Sequence, residues 1–169
     1  MTMTVKKMKA VILSTLAKVL SRKEMRPVVR LFTAVHVHLY RLSGGRAQQA
    51  RYPTLLLTTK GRKTGKLYTI PLLYVADGDR FVIAAAYAGS PHNPAWWLNL
   101  QHTKEAIIEV KRQKLLVRAE LARVEEREVL WQRLVAMYPS FVDYQQRTTR
   151  EIPVIILQPL KTLESTLPK

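Results

Sequence analysis

Between Thr54 and Ala86 three stretches rich in Leu, Ile, Val, Thr and Tyr follow one another with only turn residues between them: Thr54–Thr59, Lys66–Ala76 and Arg80–Ala86. The separators, Lys60-Gly61-Arg62-Lys63-Thr64-Gly65 and Asp77-Gly78-Asp79, are too short to hold a crossover helix, so these strands form an antiparallel meander. Two further strands, Ala106–Lys111 and Leu115–Arg123, flank an Arg112-Gln113-Lys114 turn. A last one, Ile152–Leu157, is an apolar run whose Pro153 belongs at a strand start or an edge. About six strands therefore interleave with short helices. The pattern is not the alternating strand and helix of a doubly wound fold, and a small antiparallel barrel of the α+β, mainly β class fits it best.

The helices fall before and between these strands. Val5–Leu20 repeats apolar residues at helical spacing with Lys6, Lys7, Lys9 and Lys18 on much of the remainder, a basic amphipathic pattern. Pro27–Leu42 begins at a proline suited to a first turn and stops before Ser43-Gly44-Gly45. Asn93-Pro94 starts a short helix through Leu100, with Asn93 as cap and Pro94 at the first helical position. Glu125, Glu126 and Glu128 suit the positive end of a helix running toward Met137. The expected organisation is a basic helical extension and linker over 1–52, a barrel over 53–160 and a tail over 161–169.

Charge narrows the partners without choosing one. Residues 1–66 hold 15 Lys and Arg against the single acid Glu24, whereas 67–169 hold 13 against 11 acids. Such a segment suits nucleic acid, an anionic membrane, or a phosphorylated or polycarboxylate ligand, and equally a solvated face with no specific partner. No recognition helix or aromatic-studded RNA sheet is evident, so specific nucleic-acid binding is not expected. The absence of cysteine removes disulfides, thiolate metal sites and a cysteine nucleophile. No apolar run reaches the length of a membrane span, and no signal peptide is read. A cytoplasmic protein is expected, which the basic N-terminus would bring to the inner face of the cell membrane if its lysines meet anionic lipid.

Reactive groups are scarce. His36 and His38 diverge on a helix and have no neighbouring carboxylate, so no metal site is expected. There is no G-x-S-x-G elbow, and the acids before residue 100 are only Glu24, Asp77 and Asp79. By contrast, Gly61 and Gly65 bracket Arg62, Lys63 and Thr64 in a tight connection, either an anion cradle or a solvated basic turn. Trp96 and Trp97 on one short helix offer a core residue and a wall for a planar ligand, with Asn99 on the Trp96 face. The alternative is that both are core. Tyr138-Pro139-Ser140-Phe141-Val142-Asp143-Tyr144-Gln145 is a second aromatic cluster, whose hydroxyls either donate protons or are satisfied core phenols. Cations and aromatics without acids or nucleophiles suit a site where a cofactor carries the electrons.

Four ordered motifs carry a resemblance. Leu55-Leu56-Leu57-Thr58-Thr59-Lys60-Gly61-Arg62-Lys63-Thr64-Gly65 with Ile70-Pro71-Leu72 resembles the opening of the deazaflavin-dependent nitroreductase family. Asn93-Pro94-Ala95-Trp96-Trp97-Leu98-Asn99-Leu100, Met137 to Gln145, and Arg150-Glu151-Ile152-Pro153-Val154 resemble its later signatures, over roughly residues 30–160. The resemblance implies a split β-barrel, similar to flavin-reductase and pyridoxamine-phosphate-oxidase folds, that binds the deazaflavin coenzyme F420, with flavin mononucleotide (FMN) as the alternative cofactor. It implies that Arg62, Lys63, Thr64 and Gly65 hold the phosphate region, that Tyr68, Pro71 and Leu72 line the cofactor, and that Ala86, Tyr87, Ala95, Trp96 and Asn99 flank its ring. A hydride would pass to a small electron-poor acceptor (an enone, quinone or nitroaromatic), with Tyr138 or Tyr144 assisting protonation. Five positions depart from the family pattern: Ala86, Tyr87 and Ala88 make Ala-Tyr-Ala-Gly of Ser-Lys-Gly-Gly, Tyr68 replaces an arginine, and Phe141 stands where a relative has a tyrosine. A non-enzymatic alternative is a membrane-docked protein that sequesters a cofactor or lipid.

Overall fold

A computed structural model describes residues 35, 37–43, 52–111 and 113–163. The chain divides into two units between His36 and Val37, and the described fold lies in the second. The amphipathic stretch Val5–Leu20, the start of the second helix at Pro27 and the membrane contact expected of the basic N-terminus lie outside the described residues.

Among the described residues seven antiparallel strands form one sheet: β1 (Thr54–Lys60), β2 (Leu67–Leu73), β3 (Val75–Asp77), β4 (Arg80–Ala84), β5 (Glu105–Val110), β6 (Gln113–Leu121) and β7 (Val154–Leu163), in the order β2-β1-β5-β6-β7-β4-β3. Only Tyr74 separates β2 from β3, yet these strands are the two edges of the sheet. One residue cannot cross a flat sheet of seven strands some 4.8 Å apart, so the sheet must curl until its edges nearly meet. The result is a split barrel, with β2 drawn toward β4 across the open seam. Thus the stretch read as one strand, Lys66–Ala76, is two. Its break is Tyr74, whose N–H donates to the Pro53 carbonyl (3.1 Å) while its ring packs edge-on to Phe81.

Period-two alternation sorts the strand residues. Leu55, Leu57, Ile83, Ile108, Val117, Ile155 and Leu157 point into the barrel, whereas Val82, Ala84, Val154 and Ile156 point outward beneath a second buried cluster. Leu55–Leu57 of β1, Val82–Ala84 of β4 and Val154–Leu157 of β7 are unbroken apolar runs because both faces are covered there. A helix over residues 37–42, α1, covers Leu56 with Val37 and Tyr40. The Tyr40 hydroxyl donates to the Thr54 carbonyl (2.9 Å), and Arg41 grips Glu109 through two nitrogens. This helix ends at Leu42, as its Ser-Gly-Gly stop predicts.

Helix α2 (Ala95–Thr103) packs against β1 and β5 and adds Trp96, Trp97 and Leu100 to the barrel core. Its cap is Pro94, whose extended ψ of 148° leaves it outside the helix, rather than Asn93. Outside lie α3 (Val124–Met137), which buries Leu130 and Leu134, and the short α4 (Ser140–Gln146), which buries Phe141. Strand β4 stops at Ala84, two residues short of the sequence reading, because the Ala85 and Ala86 carbonyls turn to Arg150. At the other end, β7 runs to Leu163 rather than Leu157. A register shift at Leu116/Val117 lets it carry Pro159 past the point where β4 ends.

Candidate active site

The seam opens into a cleft of about 430 Å³, within the range of small-molecule sites. One wall is β2, through Pro71, Leu72 and Leu73, joined by Tyr52 from just before β1. The opposite wall is Ala84 with the turn after β4, Ala86, Tyr87 and Ala88, and the third is Tyr138, Phe141 and Tyr144. Pro71 is tolerated because β2 is an edge strand.

The aromatic wall packs as a set. Tyr138 meets Tyr52 edge-on at 5.1 Å and Phe141 at 5.3 Å, and its hydroxyl lies 3.4 Å from that of Tyr144. Burial, reinforced by the Tyr138 hydroxyl, raises the Tyr144 phenol well above its ordinary range, so it stays protonated at neutral pH. Both hydroxyls are therefore placed beside a cleft with no carboxylate among its described lining residues.

The turn opposite them is strained. Tyr87, Ala88 and Gly89 all have positive φ, 47°, 52° and 78°, and each of the two non-glycine residues costs about 1–2 kcal/mol in that region. Ala86 is right-handed, and the right-then-left sequence turns successive N–H groups toward one side, a concavity for partial negative charge. A Cβ on Gly89 would lie 2.7 Å from the Tyr144 carbonyl oxygen, so the turn is pressed against α4. Tyr87 is 56% exposed at the cleft. The guanidinium of Arg150 donates to the carbonyls of Ser90 (2.9 Å), Ala85 (3.0 Å) and Ala86 (2.8 Å), and burial lowers its pKa from the usual arginine value.

The basic turn is built differently. Gly61 accepts from the Thr64 and Gly65 N–H groups and donates to Lys66, and Gly65 takes a φ of 68°. Tyr68 lies so close to Gly61 that a Cβ would meet its ring at 2.7 Å, and its hydroxyl shares a hydrogen bond with Thr64 (3.1 Å). Asn99, only 5% exposed, accepts from the Arg62 N–H (3.2 Å) and donates to Thr59 (3.2 Å), so its amide fastens the turn to α2 and β1. Arg62, Lys63, Thr64, Gly65 and Tyr68 are thus gathered in one polar structure. Trp96 and Trp97 are both buried with Leu55, Leu57 and Leu100, and Ala95 is exposed at the start of α2. The cleft itself gathers Pro71, Leu72, Ala86, Tyr87, Tyr138, Phe141 and Tyr144.

Tyr52, Leu73 and Ala84 line the cleft although the sequence reading gave them no role. Tyr52-Pro53 reads as linker, and only its place next to a strand signals otherwise. Arg150 stands in a quoted motif, but no local pattern announces contacts 60 to 65 residues away.

The family profile for F420H(2)-dependent quinone reductase matches residues 32–159. The chain belongs to that family. An F420H(2)-dependent quinone reductase of Mycobacterium tuberculosis is 33% identical over 129 residues, covering 73% of this chain and 87% of the relative. A second protein of that organism, named for the same activity, is 41% identical over 107 residues, covering 63% and 90%. Among solved structures, an F420H2-dependent reductase superposes with a TM-score of 0.59 at 33% identity, covering 63% of this chain and 94% of that one. A heme-binding protein of Mycobacterium smegmatis shares the fold at 16% identity with a TM-score of 0.53, covering 67% and 48%. The fold alone therefore does not select a cofactor. Family membership does, and it places the chain among the deazaflavin-dependent oxidoreductases with F420 as the cofactor.

Proposed function

We propose that this quinone reductase family member reduces a quinone-like acceptor in the cleft at the barrel seam, with the basic turn Gly61–Gly65 holding the acidic tail of the cofactor. The observation that carries the reading is the cleft itself: about 430 Å³ of space between an apolar strand, a turn of right- then left-handed residues, and two phenols 3.4 Å apart. These walls fit a tricyclic ring with carbonyl oxygens. When bound, the reduced deazaflavin supplies a hydride to an electron-poor carbon or oxygen-bearing ring.

The protein's part is to place and protonate. Pro71, Leu72 and Tyr52 exclude water from one side of the ring. The N–H groups of the Ala86–Ala88 turn face partial negative charge on it. Tyr138 and Tyr144 donate a proton to the acceptor oxygen as negative charge develops there, a role Phe141 cannot share. Arg62 and Lys63, on a turn stiffened by Asn99, Thr64 and Gly61, meet phosphate and carboxylate oxygens.

A cytoplasmic enzyme whose basic N-terminus touches anionic lipid would meet lipid-soluble quinones at the membrane face. No helix among the described residues is long and apolar enough to cross a membrane. The test is replacement of Arg62 and Lys63 by alanine. Deazaflavin affinity falls at least tenfold, and what remains is less sensitive to salt. Unchanged affinity and salt slope would remove the basic turn from the site.

A further inference from the structure

We infer that Arg150 is a positioning residue, a clamp that holds the cleft turn in its left-handed conformation and so allows alanine to stand at position 88. The inference rests on the cleft being the cofactor site, but the clamp is a property of the chain without it. Three consecutive residues, Tyr87, Ala88 and Gly89, have φ of 47°, 52° and 78°, and only the last is glycine. A left-handed alanine persists only where its surroundings over-determine it.

Arg150 supplies that determination. One planar guanidinium takes the Ala85 and Ala86 carbonyls on the entry side of the turn and the Ser90 carbonyl on its exit side, all within 3.0 Å. The two ends of the turn are thereby fixed relative to each other, which a flexible lysine with its single nitrogen cannot reproduce. The main chain of Arg150 is fixed in turn. Its carbonyl accepts from the Gln145 side-chain amide (2.9 Å), and Gln145 also accepts from the Ile152 N–H (2.9 Å). Gln145 is the neighbour of Tyr144 on α4, whose carbonyl oxygen presses on Gly89. One network therefore sets the turn wall and the phenol wall of the cleft together. If the clamp is removed, the turn relaxes and its N–H groups no longer converge.

The turn reports its own integrity through two amides, Gly89 N–H to Ala86 O and Ser90 N–H to Tyr87 O, both 3.0 Å. The experiment is residue-resolved amide hydrogen exchange on the cofactor-free full chain for wild type, Arg150→Met, Arg150→Lys, Ala88→Gly and Arg150→Met/Ala88→Gly. It is paired with KM and kcat for reduced deazaflavin with a simple quinone. Arg150→Met is expected to speed exchange at Gly89 and Ser90 at least tenfold, and Arg150→Lys by less. Glycine at 88 adopts positive φ freely, so Ala88→Gly in the Arg150→Met background should recover about five- to tenfold. The loss in kcat/KM caused by Arg150→Met should shrink by a similar factor in that background. A general structural role for Arg150 would not be rescued by added glycine.

Unchanged exchange at Gly89 and Ser90 in both Arg150 variants, or no recovery with Ala88→Gly, would overturn the clamp. Should Arg150→Met not fold, Arg150→Lys with and without Ala88→Gly decides by the same criterion. If exchange behaves as expected but the wild type does not bind deazaflavin, the clamp stands and the proposed cofactor site falls.

Discussion

Alanine at Gly89 tests how tightly the cleft turn is pressed on α4. Its φ of 78° adds about 1–2 kcal/mol for any L side chain. The new Cβ would also lie 2.7 Å from the Tyr144 carbonyl oxygen and 2.8 Å from the Arg147 Cβ, so neighbouring backbone must move. Overpacking of this kind costs about 1–3 kcal/mol, for a combined loss of roughly 2–5 kcal/mol. In a chain of this size that corresponds to a fall in Tm of about 5–20 °C. Gly78→Ala is the matched control: φ is 62°, but nothing lies within 4 Å of its Cβ, and only the conformational part applies. Urea unfolding followed by circular dichroism measures both variants. Equal destabilisation, within about 0.5 kcal/mol, would refute the close packing of turn on helix.

Asn99→Leu leaves Thr59 and the Arg62 N–H without their shared partner, so stability should drop by about 1–3 kcal/mol in urea unfolding, with weaker deazaflavin binding by fluorescence. If Tyr138 and Tyr144 protonate the acceptor, Tyr138→Phe/Tyr144→Phe lowers kcat about a hundredfold or more while deazaflavin affinity stays within a few-fold, and an unchanged kcat removes them from proton transfer. Asp77 is held below the ordinary carboxylate range by hydrogen bonds from Arg133, which ties the β3–β4 hairpin to α3, and from Arg80 within the hairpin. Its stabilisation is therefore complete above the unfolded value of about 4 and is lost as pH falls through the lower folded one. Asp77→Asn should flatten the acid limb of the stability curve below about pH 4, and a parallel curve would contradict this.

The parts of the fold legible in the sequence were those with local causes. Alternation in β5 and β6, the turn residues around Gly61 and Gly78, and the acids that open α3 each act within a few residues of themselves. A small antiparallel barrel followed from a meander too tightly connected for crossovers, and the family, with the split form of the barrel that it implies, from four motifs in order. The break at Tyr74 was hidden because β2 and β3 have the same composition, and only the curl of the sheet divides them. The adjacent tryptophans on α2 left open whether one of them walls a ligand, and the packing of α2 against β1 and β5 buries both. The role of Asn99 in fastening Arg62, 37 residues away, and the reach of Arg150 to Ala85 are products of topology. No local pattern carries them.

On the proposed function, the seam cleft and basic turn bind a reduced deazaflavin and pass its hydride to a quinone. Parallel titration of the full chain with the deazaflavin coenzyme and with FMN, followed by quinone-dependent oxidation, tests it most directly. The expected result is tight, salt-sensitive binding of the deazaflavin, oxidation that requires the quinone, and weaker binding of FMN with its single phosphate. Binding of FMN alone, or of neither, would contradict it.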